Sequence, residues 1–152
     1  MSIRDRIIAH LEGLGIPFER LAHPAVTGCD DSLAHRTAAG WRGASSKCIL
    51  FHAKGNFYLV VTTADREIKA RLFKKPFGTK NIRFSTPEEV MEKTGCTVGS
   101  MPPFGFENPA VPIFLDGRIL SAGHFMFNPA EPTESLRITT RDLIPVLDNV
   151  TR

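Results

Sequence analysis

Lys47-Cys48-Ile49-Leu50-Phe51-His52-Ala53 and Phe57-Tyr58-Leu59-Val60-Val61-Thr62-Thr63, joined by Lys54-Gly55-Asn56, decide how this chain folds. Both runs are rich in β-branched and aromatic residues and the join carries a glycine, so the stretch predicts a β-hairpin. Side chains alternate along a strand, which puts Lys47 on one face with Ile49 and Phe51 and turns Cys48 and Leu50 to the other.

Outward from this hairpin, helix and strand signals intermix. Toward the N-terminus, Ser2 and Asp5 form a capping pair ahead of Ile3, Ile7, Leu11 and Leu14 at helical spacing, and Gly13 and Gly15 stop the helix. Residues 16–21 are extended up to His23-Pro24, and Asp30 or Asp31 can cap a helix over 32–39. Toward the C-terminus a helix is expected over 64–74 and a strand over 81–85. Thr86-Pro87-Glu88-Glu89 then supplies an N-cap, a first-turn proline and a capping glutamate for a helix that Gly95 ends. Residues 97–109 lack periodicity and form a loop. Strands follow at 111–115 and 118–122 around a turn at Asp116-Gly117, then an irregular stretch over 123–134, a strand at 135–139 and a helix over 140–147. The expectation is an α+β fold: one domain over residues 1–152, with two hairpins in a mixed, mostly antiparallel sheet curled into a barrel-like core flanked by helices.

At 152 residues and 42% hydrophobic, the chain can bury roughly 70% of its unfolded surface, so neither a metal nor a disulfide is needed to hold it. The longest apolar run, 57–61, is far short of the roughly 20 residues of a membrane span, and residues 1–5 lack a signal-peptide core. A soluble, cytoplasmic protein with no membrane partner is expected. Cys29, Cys48 and Cys96 are odd in number and form no Cys-x-x-Cys pair, which predicts reduced thiols. No metal site is expected, because the histidines and cysteines lack ligand spacing. No cofactor is expected either, because no phosphate-binding glycine loop is present. Net charge is +3, but Arg66, Lys69, Arg71, Lys74, Lys75, Lys80 and Arg83 crowd one stretch against Glu67 alone. Such a cluster is a solvated face or a phosphate-binding patch.

Two features can carry chemistry. Lys47, at the head of an apolar strand, is either a snorkelling end residue or a cation held at a cleft to meet phosphate or carbonyl oxygen. Thr97-Val98-Gly99-Ser100-Met101-Pro102-Pro103-Phe104-Gly105 is stiffened by its prolines, while its glycines permit close backbone approach. It is a rigid connection or a loop aiming the N–H groups of Gly99, Ser100 and Met101 at one oxygen. Cys48 and His52 face the same way but stand roughly 13 Å apart along a strand, too far for a thiol and its base. Cys48 is therefore read as a small buried hydrophobe.

In this order, Glu19-Arg20-Leu21-Ala22-His23-Pro24-Ala25-Val26, Lys47, Gly99-Ser100-Met101-Pro102-Pro103-Phe104-Gly105 and Leu136-Arg137-Ile138 resemble the YbaK/ProX family of freestanding aminoacyl-tRNA deacylases, related to the editing insertion of bacterial prolyl-tRNA synthetase. The resemblance spans nearly the whole chain. It implies hydrolysis of the ester joining a small amino acid (alanine, serine, cysteine or 2-aminobutyrate) to the wrong tRNA, without metal or covalent intermediate. Lys47, Gly99, Ser100 and Met101 take the catalytic positions, with Cys48, Pro102, Pro103, Phe104, Gly105 and Asn128 around the substrate. Arg66, Lys69, Lys74, Lys75 and Lys80 become candidates for tRNA contact. The implied partner is a mischarged tRNA, a proline tRNA among the candidates, and an aminoacyl-tRNA synthetase is a further candidate. The chain departs from alanine-editing members in having Cys48 where Asn often follows the lysine and Asn128-Pro129 where they have His-Pro. A non-catalytic tRNA-binding module and a regulatory domain for a free small molecule are the alternatives.

Overall fold

Local signals set most element boundaries in the computed structural model, which describes residues 2–106 and 111–148. The order is α1 (Ile3–Gly13), β1 (Glu19–Ala22), α2 (Cys29–Ala38), β2 (Ala44–Ala53), β3 (Asn56–Thr63), α3 (Lys74–Phe77), β4 (Ile82–Phe84), α4 (Pro87–Thr94), β5 (Ile113–Leu115), β6 (His124–Phe127), β7 (Glu134–Thr139) and α5 (Thr140–Asp148). Ser2 accepts from the Asp5 N–H at the start of α1. Thr86 and Glu89 bond each other's backbone around Pro87 at the start of α4, and Gly95 closes that helix in the left-handed conformation. The hairpin turns on Lys54 and Gly55 alone, with φ of 50° and 83°. Positive φ at both positions matches the turn to the twist of the paired strands.

Four expectations are corrected. Helix α2 begins at Cys29 after Gly28, so neither Asp30 nor Asp31 is the cap; Asp31 instead reaches back to accept from the Thr27 N–H. Residues 64–74 do not form one helix: a 3-10 turn at Ala70–Phe73 leads into the single turn of α3. Its core-facing residues, Ile68, Phe73 and Phe77, are spaced five and four apart, and a continuous helix would not aim all three inward. The stretch 118–122 is not a strand; Asp116 accepts from the Arg118 N–H and winds Gly117–Ser121 into a 3-10 turn. Strand β5 consequently pairs in parallel with β3 and the second hairpin does not form. Strand β6 rises from the stretch expected to be irregular, because Phe125, Met126 and Phe127 are all buried and a strand covered on both faces shows no alternation. Of the loop expected over 97–109, residues 107–109 lie outside the described residues.

The strands join in the order β1-β7-β6-β2-β3-β5, with β4 beside β2. The β2·β6 and β3·β5 pairs are parallel and the others antiparallel. The sheet is thus mixed and mostly antiparallel, but its end strands β1 and β5 are not joined, and the barrel-like closure is not seen. Strand β2 ties it together. One edge pairs with β3, while the other meets β6 at Ala44 and Ser45 and β4 from Phe51 to Ala53. On that edge, among the described residues, no strand pairs with residues 46–49, which leaves a gap between β6 and β4. One face of the sheet carries the main core, including Ile7, Leu11, Leu50, Phe125, Leu136 and Leu143. The other is covered by α2 near the start of β2 and by residues 68–77 near its end, over Phe51, Val60, Ile68 and Phe77.

Gly43 makes the β2–β6 junction possible. Its φ is 144°, and a Cβ there would stand 2.6 Å from the His124 carbonyl oxygen. Gly43→Ala should cost about 2–3 kcal/mol in urea unfolding, through strained φ and a backbone clash. Gly117→Ala, with nothing within 4 Å of the new Cβ, should change stability by less than about 1 kcal/mol.

Candidate functional site

Alternation along β2 places Ser45, Lys47, Ile49 and Phe51 on the face opposite the main core. Ser45 bonds α2 through Arg36, while Ile49 and Phe51 pack in the second cluster. Lys47 therefore stands between α2 and the 68–77 segment, beside the gap in the β2 edge. Half-buried, it donates from Nζ to the Arg66 carbonyl oxygen at 3.1 Å. An ammonium has three donors, so two remain for a ligand. Cys48 faces the main core, half-buried. Burial pushes its thiol well above the ordinary range, and Cys96 is pushed up to about 11 for the same reason. At neutral pH neither offers a thiolate.

The Gly99–Gly105 segment is anchored at both ends. Gly99 takes φ of 98°, and its Cα side lies against Thr27 and Gly28 at the start of α2, where a Cβ would come within 3.2 Å of the Thr27 carbonyl oxygen. Gly105 lies over Ile7 and Ile3 of α1. Between them Ser100, Met101, Pro102, Pro103 and Phe104 are buried, and the Phe104 ring packs between His10 and Phe127. Ser100 is no exposed nucleophile. Its hydroxyl meets Thr97 Oγ1 at 3.0 Å, and its N–H is spent on the Thr97 carbonyl at 3.4 Å. Of the three N–H groups expected to converge, that of Ser100 is thus engaged within the loop.

A polar network missed in the sequence connects these parts. Arg36 is fully buried and donates to Ser135 Oγ at 2.8 Å, Ser45 Oγ at 2.6 Å, Asn128 Oδ1 at 3.1 Å and the Met126 carbonyl at 3.5 Å. Burial holds its pKa down to about 10, partly offset by Cys29 and Cys48. Asn128 Oδ1 also accepts from Ser32, while its Nδ2 donates to the Glu131 and Glu134 carbonyls. With two bonds accepted and two donated, its amide has no capacity left for a substrate. It pins the turn in which Ala130 adopts φ of 64°. Helix α2 buries Ser32 and Arg36 where an amphipathic helix buries leucines, so hydrophobic periodicity carries no sign of the network.

On the Lys47 side, Asp116 is another residue the sequence reading passed over, as a turn residue. Oδ2 accepts from Thr62 Oγ1 at 2.7 Å and from Arg66 at 2.6 Å, and Oδ1 from the Arg118 N–H at 3.0 Å. Burial works to raise its pKa, and these bonds outweigh it, leaving the carboxyl below its ordinary value. Lys69, Lys74, Lys75 and Lys80 are exposed, and among the described residues none stands within ion-pair distance of a carboxylate. The described residues contain no cluster of three or more His, Cys, Asp or Glu able to hold a metal, and no helix long and apolar enough to cross a membrane.

Residues 23–145 match the aminoacyl-tRNA editing domain family. The chain is 28% identical over 147 residues to the multifunctional Ser/Thr-tRNA deacylase ProXp-y of Escherichia coli (strain K12), covering 93% of this chain and 86% of that protein. It is 25% identical over 151 residues to the mouse prolyl-tRNA synthetase associated domain-containing protein 1, covering 94% and 88%. A crystal structure described as a candidate trans-editing enzyme for prolyl-tRNA synthetase superposes with a TM-score of 0.78 at 24% identity, over 96% of this chain and 92% of the other.

Asn128→Ala strands the Glu134 carbonyl and the Arg36 guanidinium inside the protein. Urea unfolding should show a loss of about 2–3 kcal/mol. Asp116 stabilises the fold above its ordinary pKa near 4, and that contribution is lost as pH falls through the lower folded value. The acid limb of a stability–pH curve should therefore flatten in Asp116→Asn.

Proposed function

We propose, from the premise that this chain belongs to the aminoacyl-tRNA editing domain family of YbaK/ProX deacylases, that it is a trans-editing hydrolase releasing a small amino acid from mischarged tRNA. The observation carrying this reading is the Lys47 ammonium, fixed by one bond to the Arg66 carbonyl and left with two donors beside the gap in β2. That is the equipment for holding a phosphate or ribose oxygen. Unpaired lysines at 69, 74, 75 and 80 on the adjoining segment suit the polyanion behind that phosphate.

Hydrolysis here proceeds by direct attack of water. The water oxygen bonds to the ester carbonyl carbon, the carbon–ribose oxygen bond breaks, and the water proton passes to the departing ribose oxygen. Ser100 is buried and bonded, and the Cys48 and Cys96 thiols are held protonated, so none of these three serves as a nucleophile. Gly99 and Met101 N–H groups stabilise the developing oxyanion, an effect worth about 3 kcal/mol for one such donor. The buried Met101-Pro102-Pro103-Phe104 run keeps them in place and limits the room for a side chain. Selection is by exclusion, admitting the alanine, serine, cysteine and 2-aminobutyrate class with graded tolerance, because one methylene discriminates by only about 1–3 kcal/mol. The serine and threonine named for the Escherichia coli relative lie in or next to that class.

A panel of mischarged tRNAs, each assayed for release of its amino acid, tests the reading. At least one small aminoacyl-tRNA should be deacylated well above the buffer rate. Lys47→Ala should lower that rate by roughly one to two decades with the fold intact, as for a lost charge-assisted contact. Binding of tRNA with no deacylation across the panel would instead make the protein a tRNA-binding module.

A further inference from the structure

Next to Lys47, on the same face of the sheet, a pocket of about 320 Å³ is lined by Val60, Ile68, Leu72, Phe73 and Phe114, with Thr62, Arg66 and Asp116 at its polar end. Leu72 forms an exposed lip, at 51% exposure, in a protein that otherwise buries most of its large apolar side chains. The polar end pairs an acceptor with a donor. The Asp116 side chain is only 7% exposed and keeps one lone pair on Oδ1 after accepting from Arg118. Arg66 gives one nitrogen to Asp116, and the rest of its guanidinium is left to donate. Lys69, Lys74 and Lys75 are exposed on the same segment that supplies Ile68, Leu72, Phe73 and Pro76 to the lining.

An apolar, partly aromatic slot ending in one acceptor and one donor, on a segment that carries exposed lysines, suits a nucleobase attached to a phosphodiester chain. An amino donor beside a ring acceptor, as on cytosine (N4 with N3 and O2) and adenine (N6 with N1), matches the polar end: the amino group donates to the carboxylate, and the acceptor edge accepts from the guanidinium. The location limits the choice further. Thr62 is the cross-strand partner of Lys47, so the polar end begins one strand spacing, about 5 Å, from the lysine. With a ribose or phosphate oxygen of the 3′-terminal nucleotide held at Lys47, as proposed above, the preceding nucleotide reaches this slot.

We propose that this pocket receives the unpaired cytosine preceding the terminal adenosine of the tRNA 3′ end, with Asp116 reading its amino group, Arg66 its acceptor edge, and Leu72 and Phe114 contacting its faces. The assignment rests on the aminoacyl-tRNA reading above, and it makes the site a reader of the 3′ end as well as of the amino acid.

Uncharged, fluorescently labelled RNA microhelices ending in C-C-A and in C-U-A separate this inference from the deacylase reading, because binding is measured without hydrolysis. Uracil carries a carbonyl where cytosine carries the amino group, so wild-type protein should bind the C-C-A end roughly tenfold more tightly. Asp116→Asn, which can donate to that carbonyl, should narrow or reverse the preference. Leu72→Ala, a change at an exposed position, should weaken binding of both microhelices by roughly fivefold or more while keeping the preference. Equal affinity of the wild type for the two ends, or unchanged affinity in Leu72→Ala, would overturn the proposal. So would displacement of the C-C-A microhelix by free cytidine monophosphate at the concentration at which unlabelled microhelix displaces it. Discrimination in binding by a protein that deacylates nothing would keep the pocket and remove the enzyme.

Discussion

A guanidinium sealed inside the protein without a carboxylate governs how the rest is arranged. An unpaired buried charge costs several kcal/mol unless its donors are met by well-placed acceptors. Arg36 meets that condition through Ser45 on β2, Ser135 on β7, Asn128 beyond β6 and the Met126 carbonyl. Ser45 is nine residues from Arg36 but the other three acceptors are 90 or more away, and α2, β2, β6 and β7 must all be in place for the charge to be tolerated. Lys47 is two residues beyond Ser45 and inherits its position from the same network. Gly99 leans on Thr27 and Gly28, just ahead of α2, so the loop and the lysine are referenced to one helix.

The second constraint is the length of β2. Ten residues long, it outreaches its neighbours on one edge, and β6 and β4 take its two ends and leave the middle uncovered. Covering elements split the same way, α2 over one half and residues 68–77 over the other. A gap at this junction costs little, since only a few backbone groups give up strand pairing. It exposes one cation and a strand edge where the surrounding core holds them rigid. Cys48 and Leu50 face the main core while Lys47 faces the gap, so packing and chemistry alternate residue by residue along a single strand.

Asn128 is held by the fold at every polar atom of its side chain. Its amide is consumed by Ser32, Arg36 and the carbonyls of Glu131 and Glu134, and it holds Ala130 in a conformation that a non-glycine residue avoids. Its bonds to Glu131 and Glu134 fix the 128–134 turn. Phe104 is similar: its ring is core, and what it contributes to the loop is immobility.

Signals that act within a few residues were legible in the sequence. The Ser2 and Thr86 caps, the Lys54-Gly55 turn, the alternation that separates Lys47 from Cys48 and the proline-stiffened run through Phe104 all depend on local backbone geometry and side-chain period. The order of Lys47 and the Gly99–Pro103 element along the chain was enough to suggest the family. Three things were decided only in tertiary structure. Residues 64–74 gave up a continuous helix because Ile68, Phe73 and Phe77 had to reach one cluster. Residues 118–122 wound into a 3-10 turn because Asp116 was engaged by Thr62, Arg66 and the Arg118 N–H. Ser32 and Arg36 became part of a buried network with Asn128 only in the fold, because each stands more than 90 residues from Asn128 in sequence. Hydrogen bonds over such separations leave no periodic mark, and a buried arginine is indistinguishable from a surface one until the acceptors that satisfy it are brought around it by the fold.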